Sequence, residues 1–237
     1  MAFGNGPRIV TNGLVLSLDA GDRNSYISGS TVWNDLTGNN NSGSLTNGPA
    51  FNTGSLGNIV FDGVNDYAAI SPINASSQFT MNFWLNPISS GSTGAKEYVG
   101  IINRYNGGPS TGPNVGFRNR LLLASTFDQF LFQPIIGGVS YSISSSIFSS
   151  IQNTISMCTT TYDGSFMRFY VNANSVGSSS LSGTLDSGTG QATLAWGALS
   201  QDYYFNGRMY NFQMYNRALS ASEVLQNYNQ LKSRFNL

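Results

Sequence analysis

The sequence predicts an all-β protein, a two-sheet antiparallel sandwich with an extended arm at its N-terminus and one α-helix at its C-terminus. Three observations lead to this prediction. About a dozen short segments alternate apolar and polar residues, turn residues separate these segments at regular intervals, and helical spacing is confined to the C-terminal end. We predict an arm over residues 1–13, one sandwich domain over 14–218 and a helix packed on the sandwich over 219–237.

Alternation is clearest at residues 14–18 and 79–85, which we predict to be strands. Asp163-Gly164 lies between two alternating runs, and this pattern predicts a β-hairpin. The next turn contains Asn172-Ala173. Because a left-handed conformation is strained at Ala, we expect this turn to differ in type from an Asn-Gly hairpin.

Residues 20–57 form a long polar segment between predicted strands. A loop of this length is either functional or secured by its own anchors, and we expect Trp33 and Leu36 to be those anchors. We place all three tryptophans and the single cysteine in the core; these are Trp33, Trp84, Trp196 and Cys158.

The C-terminal segment combines one strand with one capped helix. The strand is predicted at 209–215, with one face formed by Tyr210, Phe212 and Met214 and the other by Met209, Asn211, Gln213 and Tyr215. Ser220 and Glu223 have the spacing of a capping box, with Leu219 and Val224 as its hydrophobic staple. The predicted packing stripe of the helix is Val224, Leu225, Tyr228 and Leu231.

Charge and composition argue against several functional classes. Charged residues make up only 9% of the chain and sum to zero, which argues against binding of nucleic acid or anionic membranes. The segment MAFGNGPRIVTNG has neither the basic nor the apolar region of a signal peptide. We therefore expect synthesis in a cytoplasm.

Catalytic chemistry is also poorly supported. There is no histidine, so catalytic triads and His-ligated metals are excluded. Glycoside hydrolases need a pair of carboxylates, but Glu97 and Glu223 are the only glutamates; Glu97 lies in a loop-like stretch and Glu223 caps a helix. We predict that the protein is not an enzyme and requires no cofactor.

Six segments, taken together and in order, resemble the concanavalin A-like superfamily of lectins and glucanases, and in particular its laminin-G-like jelly-roll domains. They are GLVLSLDAGDRNSY at 13–26, TVWNDLTGNNNSGSL at 31–45, IVFDGVNDY at 59–67, FTMNFWLNP at 79–87, TYDGSFMRFYVN at 161–172 and the closing block from residue 203. The resemblance implies a jelly-roll sandwich with possible glycan binding.

Domains of this kind occur in structural proteins of tailed phages, so the resemblance also implies a virion role. We expect a capsid decoration, head-fibre or tail-fibre component that forms a homo-oligomer, contacts the major capsid or fibre protein and lies on the capsid or tail surface. The alternative left open is a carbohydrate-binding module of a secreted or cell-surface bacterial protein.

Two clusters of oxygen-bearing side chains suit calcium, which many related domains bind. One contains Asp19, Asp22 and Asn24, and the other Asp62, Asn65 and Asp66. The alternative is that these side chains hold turns by accepting hydrogen bonds from their own backbone.

Glycan sites of the lectin type pair exposed aromatic rings with amide, carboxylate or guanidinium groups. The candidates are Tyr105 with Asn106, Arg118 with Asn119, and Tyr203 and Tyr204 with Asn206. Ordinary packing is the alternative for each of them.

Overall fold

The computed structural model describes residues 8–54, 56–70, 77–88, 97–106, 115–123, 127–186, 191–196 and 204–237. Its strands, in chain order, are β1 (Leu14–Asp19), β2 (Val32–Trp33), β3 (Gly43–Thr46), β4 (Ala50–Asn52), β5 (Asn58–Asp62), β6 (Tyr67–Ile70), β7 (Phe79–Pro87), β8 (Glu97–Asn106), β9 (Val115–Leu123), β10 (Phe127–Ile136), β11 (Val139–Ser140), β12 (Ile143–Ser144), β13 (Phe148–Ser149), β14 (Ser156–Tyr162), β15 (Phe166–Val171), β16 (Asn174–Ser180), β17 (Ala192–Leu194) and β18 (Asn206–Tyr215). The chain ends with helix α1 (Ala221–Lys232) and a 3-10 turn (Ser233–Phe235).

The strands form two antiparallel sheets, which confirms the predicted sandwich. The eight-stranded sheet has the order β16-β15-β14-β7-β18-β5-β4, with β1 also paired to β18. The ten-stranded sheet has the order β11-β10-β9-β8-β17-β6-β3-β2, with β12 and β13 paired to β10. Sequence neighbours are often not sheet neighbours, as in a jelly roll.

The main core lies between the two sheets and is built from large aromatic side chains. Phe83 of β7 stacks on Phe212 of β18 at 4.7 Å between ring centroids. Phe130 of the ten-stranded sheet stacks on Phe169 of the eight-stranded sheet at 5.7 Å. Burial of these rings supplies the hydrophobic free energy that joins the sheets.

A second apolar layer lies on the outer face of the eight-stranded sheet, where α1 packs. Its buried members include Trp84, Tyr215, Leu219, Val224 and Phe235. For this reason β7 is buried on both faces, with all nine of its residues buried.

Polar side chains on this covered face satisfy one another. The Nδ2 of Asn82 donates to Oε1 of Gln213 at 2.9 Å, and the Oγ1 of Thr159 donates to Oδ1 of Asn82 at 2.7 Å. All three residues are buried. Buried polar groups are tolerated when they are paired in this way.

The start of α1 follows the prediction, and its packing face differs from it. The capping box between Ser220 and Glu223 is formed, and Leu219 and Val224 are both buried. Leu225, however, is 48% exposed, so its place in the predicted stripe was wrong. Asn227 takes the buried position instead, because its side chain bonds the Val10 N–H and the Tyr215 hydroxyl at 2.8 and 2.9 Å.

Further hydrogen bonds fix part of the N-terminal arm to the rest of the protein. The Tyr215 hydroxyl donates to the Val10 carbonyl at 3.0 Å, and the Arg217 Nε donates to the Asn12 carbonyl at 2.9 Å. The Gln226 amide donates to the Arg8 carbonyl at 2.6 Å. Residues 8–13 therefore run along α1 and β18 as part of the fold.

Two details of the predicted strands and turns were wrong. A β-bulge between Met209 and Asn211 shifts the alternation, so Met209 packs in the inter-sheet core with Phe212, whereas Tyr210 packs beneath α1. The turn at Asn172-Ala173 does have the left-handed conformation, with φ of 49° and 63°.

The 20–57 segment is more regular than predicted, since β2, β3 and β4 lie within it. Trp33 is fully buried, as expected of an anchor, but Leu36 is 40% exposed. The Asp35 carboxylate anchors the segment in place of Leu36, because it accepts hydrogen bonds from the backbone N–H groups of Ser17, Thr37 and Asn41 at 3.0–3.1 Å.

In the part of the chain that the structure describes, no helix is long and apolar enough to cross a membrane.

Candidate functional site

An aromatic cluster lies at the edge of the sandwich where β18 begins. Trp196 and Tyr204 stack nearly parallel, with ring centroids 5.8 Å apart and planes at 7°. Tyr67 contacts Trp196 at 5.2 Å with its plane tilted by 42°. All three side chains are half-buried, so part of each ring faces solvent. We call Tyr67, Trp196 and Tyr204 the aromatic site.

The segment leading into β18 positions this site because it bonds to both sheets. Residues Trp196 and Tyr204 form a backbone bridge, and the Phe205 N–H donates to the Ala195 carbonyl at 2.8 Å. Two residues later, Asn206 pairs with Asp62 of β5 in the other sheet. Phe205 points into the core, which leaves its neighbours facing outward.

Amide and carboxylate groups lie beside the aromatic site. Asn206 packs against the turn that follows β5, where a Cβ on Gly63 would come within 2.7 Å of the Asn206 Cβ. At the same turn, the Asn47 Nδ2 donates to the Asn65 carbonyl at 2.7 Å. The structure therefore brings the predicted glycan residues Tyr204 and Asn206 together with the predicted metal residues of the Asp62 cluster.

The carboxylates of that cluster hold the turn. Asp62 Oδ1 accepts the Val64 and Asn65 N–H groups at 2.8 and 3.3 Å, and these bonds lower the pKa of the Asp62 carboxyl. Asp66 Oδ2 accepts the Asp62 N–H at 3.2 Å. Asp66 is 4% exposed, and desolvation raises the pKa of its carboxyl. This is the turn-forming role that the sequence left open as the alternative to calcium.

The other predicted calcium cluster lies elsewhere and is also occupied by protein donors. Asp19 pairs with Asn211 on β18, five residues from Asn206, so the two clusters are roughly 17 Å apart along that strand. Both Asp19 carboxylate oxygens accept from the Arg234 Nη1, at 2.8 and 2.9 Å. Asp22 Oδ1 accepts the Asn24 N–H at 2.8 Å.

A calcium ion at Asp19 would have to displace this guanidinium. Among the described residues, no group of three or more His, Cys, Asp or Glu side chains lies close enough to hold a metal ion. Calcium binding at either cluster stays a prediction, and a thermal melt with and without chelator tests it.

The remaining predicted glycan residues do not join the aromatic site. Tyr105 and Asn106 end β8, paired with Gly116 and Val115, and their side chains lie outside the described part of the structure, as does Tyr203 entirely. Asn119 is fully buried and donates from Nδ2 to the Thr160 Oγ1 at 3.0 Å. Asn119 therefore belongs to the interior, and Arg118 beside it is half-buried.

The outcome for the tryptophans and Cys158 is mixed. Trp33, Trp84 and Cys158 are fully buried, as predicted. Burial also raises the pKa of the Cys158 thiol well above its ordinary value, so it stays protonated and inert. Trp196 was wrongly placed in the core, since it is half-buried and belongs to neither core cluster. The left-handed Ala195 before it, with a φ of 67°, breaks the alternation. Alternation of apolar and polar residues does not reveal this break, so the sequence pattern could not predict where Trp196 lies.

A cleft that the sequence reasoning missed lies beside β4 and the loop after β1. It encloses about 450 Å³ and is lined by Arg23, Tyr26, Ile27, Phe51, Thr53 and Arg234, among others. A second cleft of about 430 Å³ shares Tyr26 and Phe51 with it and extends to Asn47. The two clefts are therefore adjacent to each other.

The two glutamates lie on different elements of the fold. Glu223 binds Arg217 in two places, at 2.6 and 2.9 Å, and these bonds lower the pKa of the Glu223 carboxyl to about 2. Glu97 is the first residue of β8, so its assignment to a loop was wrong.

Comparison with solved structures identifies similar folds at low sequence identity. The binding domain of Paraclostridial Mosquitocidal Protein 1 superposes with a TM-score of 0.67 at 20% identity, over 94% of this chain and 53% of that one. The botulinum neurotoxin serotype D binding domain in complex with N-acetylneuraminic acid has a TM-score of 0.64 at 17% identity, over 92% of this chain and 50% of that one. This chain thus spans about half the length of these toxin domains.

A third similar structure matches at nearly full length. Domain 4 of AbnA, an extracellular arabinanase from Geobacillus stearothermophilus in complex with arabinotriose, has a TM-score of 0.67 at 14% identity, over 91% of this chain and 98% of that one. No curated protein sequence matches this chain significantly. The profile described as concanavalin A-like lectin/glucanases superfamily matches residues 62–225, well over half of the sequence. This chain therefore belongs to the concanavalin A-like lectin/glucanases superfamily.

Proposed function

We propose that this protein is a non-catalytic carbohydrate-binding domain whose glycan site is the aromatic site. The observation that carries the proposal is the half-buried stack of Trp196 and Tyr204 with Tyr67 against it. Asn65 and Asn206 each lie two residues along the chain from one of these rings. Rings of this kind offer a flat apolar surface for the C–H face of a sugar, and amide groups bond its hydroxyls.

The similar structures are consistent with this proposal. Domain 4 of the arabinanase was solved with arabinotriose, and a toxin binding domain with N-acetylneuraminic acid. Both are binding domains of larger proteins. A fold hosts many functions, so the proposal depends on the aromatic site and not on the likeness.

The absence of catalysis is part of the proposal. Hydrolysis of a glycosidic bond needs two carboxyl groups facing the bond. Near the aromatic site, the described carboxyl groups are Asp62, which is tied to turn N–H groups, and Asp66, which is buried. We expect no glycan cleavage by the purified protein.

We propose further that the domain serves on the surface of a tailed-phage virion, as a decoration, head-fibre or tail-fibre component with other virion proteins and copies of itself as partners. The charge-poor composition and the resemblance to phage structural domains support this role. The tethering of residues 8–13 limits any free docking arm to the residues before them. Mass spectrometry of particles from the source tests this role against that of a secreted bacterial carbohydrate-binding module; absence from particles would contradict it.

A glycan array tests the binding site directly. The wild-type protein is expected to bind a set of glycans, and Trp196→Ala is expected to lose about 5- to 30-fold in affinity, since stacking on a tryptophan contributes about 1–2 kcal/mol. Tyr141→Ala is the matched control, because Tyr141 is an exposed aromatic residue just beyond β11, at the far edge of the same sheet. Equal glycan affinity of the wild-type protein and Trp196→Ala would show that the aromatic site is not the glycan site.

A further inference from the structure

The cleft beside β4 lies outside the part of the chain that the superfamily profile matches. All the lining residues come from residues 20–57 and from Arg234, whereas the match covers 62–225. The cleft volume of about 450 Å³ is within the range of small-molecule sites. It is therefore a concave site that belongs to this chain's own N-terminal segment.

The floor of the cleft is rigidly built. Arg234 lies in the C-terminal 3-10 turn. Its Nη1 donates to both Asp19 carboxylate oxygens, and its Nη2 donates to the Leu56 carbonyl. The guanidinium passes directly over Gly21, where a Cβ would clash with its Nη2. Gly57 allows a similarly close approach, since a Cβ there would lie 2.7 Å from the Gly21 Cα. The cleft is thus held open before any ligand arrives.

One wall of the cleft is apolar. The rings of Tyr26 and Phe51 contact each other at 4.7 Å, and the Tyr26 hydroxyl is engaged by donating to the Ser30 carbonyl at 2.8 Å. Ile27 is 65% exposed and lines the cleft, so it adds apolar surface to this wall. This wall suits the C–H face of a compact ring.

The cleft also carries three polar side chains whose donors make no hydrogen bond with any described residue. Arg23 is exposed and has no hydrogen bond or ion pair with any described residue, and the lining includes no carboxylate side chain. The hydroxyls of Ser28 and Thr53 also line the cleft and are exposed. An adjoining cleft is lined by Asp19, Asp22, Arg23 and Arg234. There, Arg234 bonds both Asp19 carboxylate oxygens, and Asp22 Oδ1 accepts the Asn24 N–H.

We infer that this cleft binds the carboxylate of an acidic sugar, such as a hexuronic or sialic acid, with Arg23 as the residue that recognises the charge. A free guanidinium bonds a carboxylate through two parallel N–H groups. The wall of Tyr26, Phe51 and Ile27 contacts the ring, and the hydroxyls of Ser28 and Thr53 bond its substituents. This site is separate from the aromatic site, so the two inferences succeed or fail independently.

Calorimetry with matched sugars tests the inference. The probes are methyl glucuronide and the methyl glycoside of N-acetylneuraminic acid, with methyl glucoside as the neutral counterpart of the first. We expect the acidic sugars to bind and to shift the amide NMR signals of residues 21–28 and 51–54. Arg23→Gln is expected to weaken binding about tenfold, and Arg23→Lys by less, because a charge-assisted bidentate contact is lost or reduced.

Three controls sharpen the test. Arg8→Gln removes an exposed arginine that does not line the cleft, and it is expected to leave affinity unchanged. Trp196→Ala is also expected to leave binding of the acidic sugars unchanged, which separates this site from the proposed glycan site. The inference is overturned if Arg23→Gln binds as tightly as wild type, if the neutral sugar binds equally well, or if N-acetylglycine, a carboxylate without a sugar ring, binds as tightly.

Discussion

Two tryptophan-centred aromatic groups lie in different parts of this sandwich, one beneath α1 on the outer face of the eight-stranded sheet and the other at the edge where β18 begins. Trp84 is fully buried between Tyr228, whose ring lies parallel at 5.7 Å, and Phe235 at 4.5 Å. Trp196 is half-buried in the aromatic site. The composition of the two groups is nearly the same, so composition does not decide their roles.

The cover over Trp84 is α1, together with residues 8–13 that run along it. On that face the buried side chains of Asn82 and Gln213 are paired with each other. The aromatic site has no such helix among the described residues, and its rings keep part of their surface exposed. The comparison teaches that the outer face of the eight-stranded sheet is covered by packing of α1, whereas the rings at the Trp196 edge are only half-buried, which suits the glycan binding proposed for them.

The largest expected difference between the groups is in stability. Trp84→Ala should lower the free energy of unfolding by about 3–5 kcal/mol, because it leaves a cavity beneath α1. Trp196→Ala should cost less than about half of that, since part of its ring is already in solvent. Urea unfolding followed by circular dichroism measures both. Equal losses would mean that the aromatic site is a structural core like that around Trp84.

The packing of α1 over Trp84 should become less stable at low pH. The Glu223 carboxyl has a pKa of about 2 in the folded protein and an ordinary value of 4.5, because Arg217 and the Ser220 N–H bind its charged form. Its stabilising contribution is therefore complete above about pH 4.5 and is lost as the pH falls toward 2.

Hydrogen exchange of the α1 amides between pH 5 and 2.5 measures this effect, with Glu223→Gln as the matched control. The variant should lack the part of the pH dependence that Glu223 supplies, because glutamine does not titrate. The same slope in both proteins would show that the Glu223–Arg217 pair does not secure the cover.

The smallest expected effect is at the rim of the covered layer. Ala173 packs against this layer and has a φ of 63°, a conformation that is strained for any residue with a Cβ. Ala173→Gly relieves the strain but adds flexibility to the unfolded chain, so we expect a net gain of about 0.5 kcal/mol. For a chain of this size, that gain raises the melting temperature by roughly 1–2 °C. A lower melting temperature would mean that the packing of the Ala173 methyl group outweighs the strain.

The sequence was sufficient for features that depend on local patterns. The sandwich, the Asp163-Gly164 hairpin and the capping box at Ser220 follow from alternation, turn chemistry and residue spacing. Asp163 even supplies the expected turn bonds, because its Oδ1 accepts the Ser165 and Phe166 N–H groups at 2.9 and 2.7 Å.

Features that depend on distant partners could not be predicted. Asn227 replaces Leu225 on the buried face because Val10 and Tyr215, far away in sequence, supply hydrogen-bond partners. The bulge at Tyr210 and the left-handed Ala195 interrupt the alternation of side chains between the two faces of a sheet. No residue pattern in the sequence marks either position. The cleft at Arg23 depends on Arg234, which is joined to it only through tertiary structure.

Intrinsic tryptophan fluorescence tests the central claim most directly, because Trp33 and Trp84 are fully buried and Trp196 is not. Titration with a glycan identified on the array should change the emission of the wild-type protein. Trp196→Phe should still bind that glycan by calorimetry, since phenylalanine keeps an aromatic surface, but its emission should not change. If the emission of Trp196→Phe changes on glycan binding as much as that of the wild-type protein, the assignment of glycan binding to the aromatic site is contradicted.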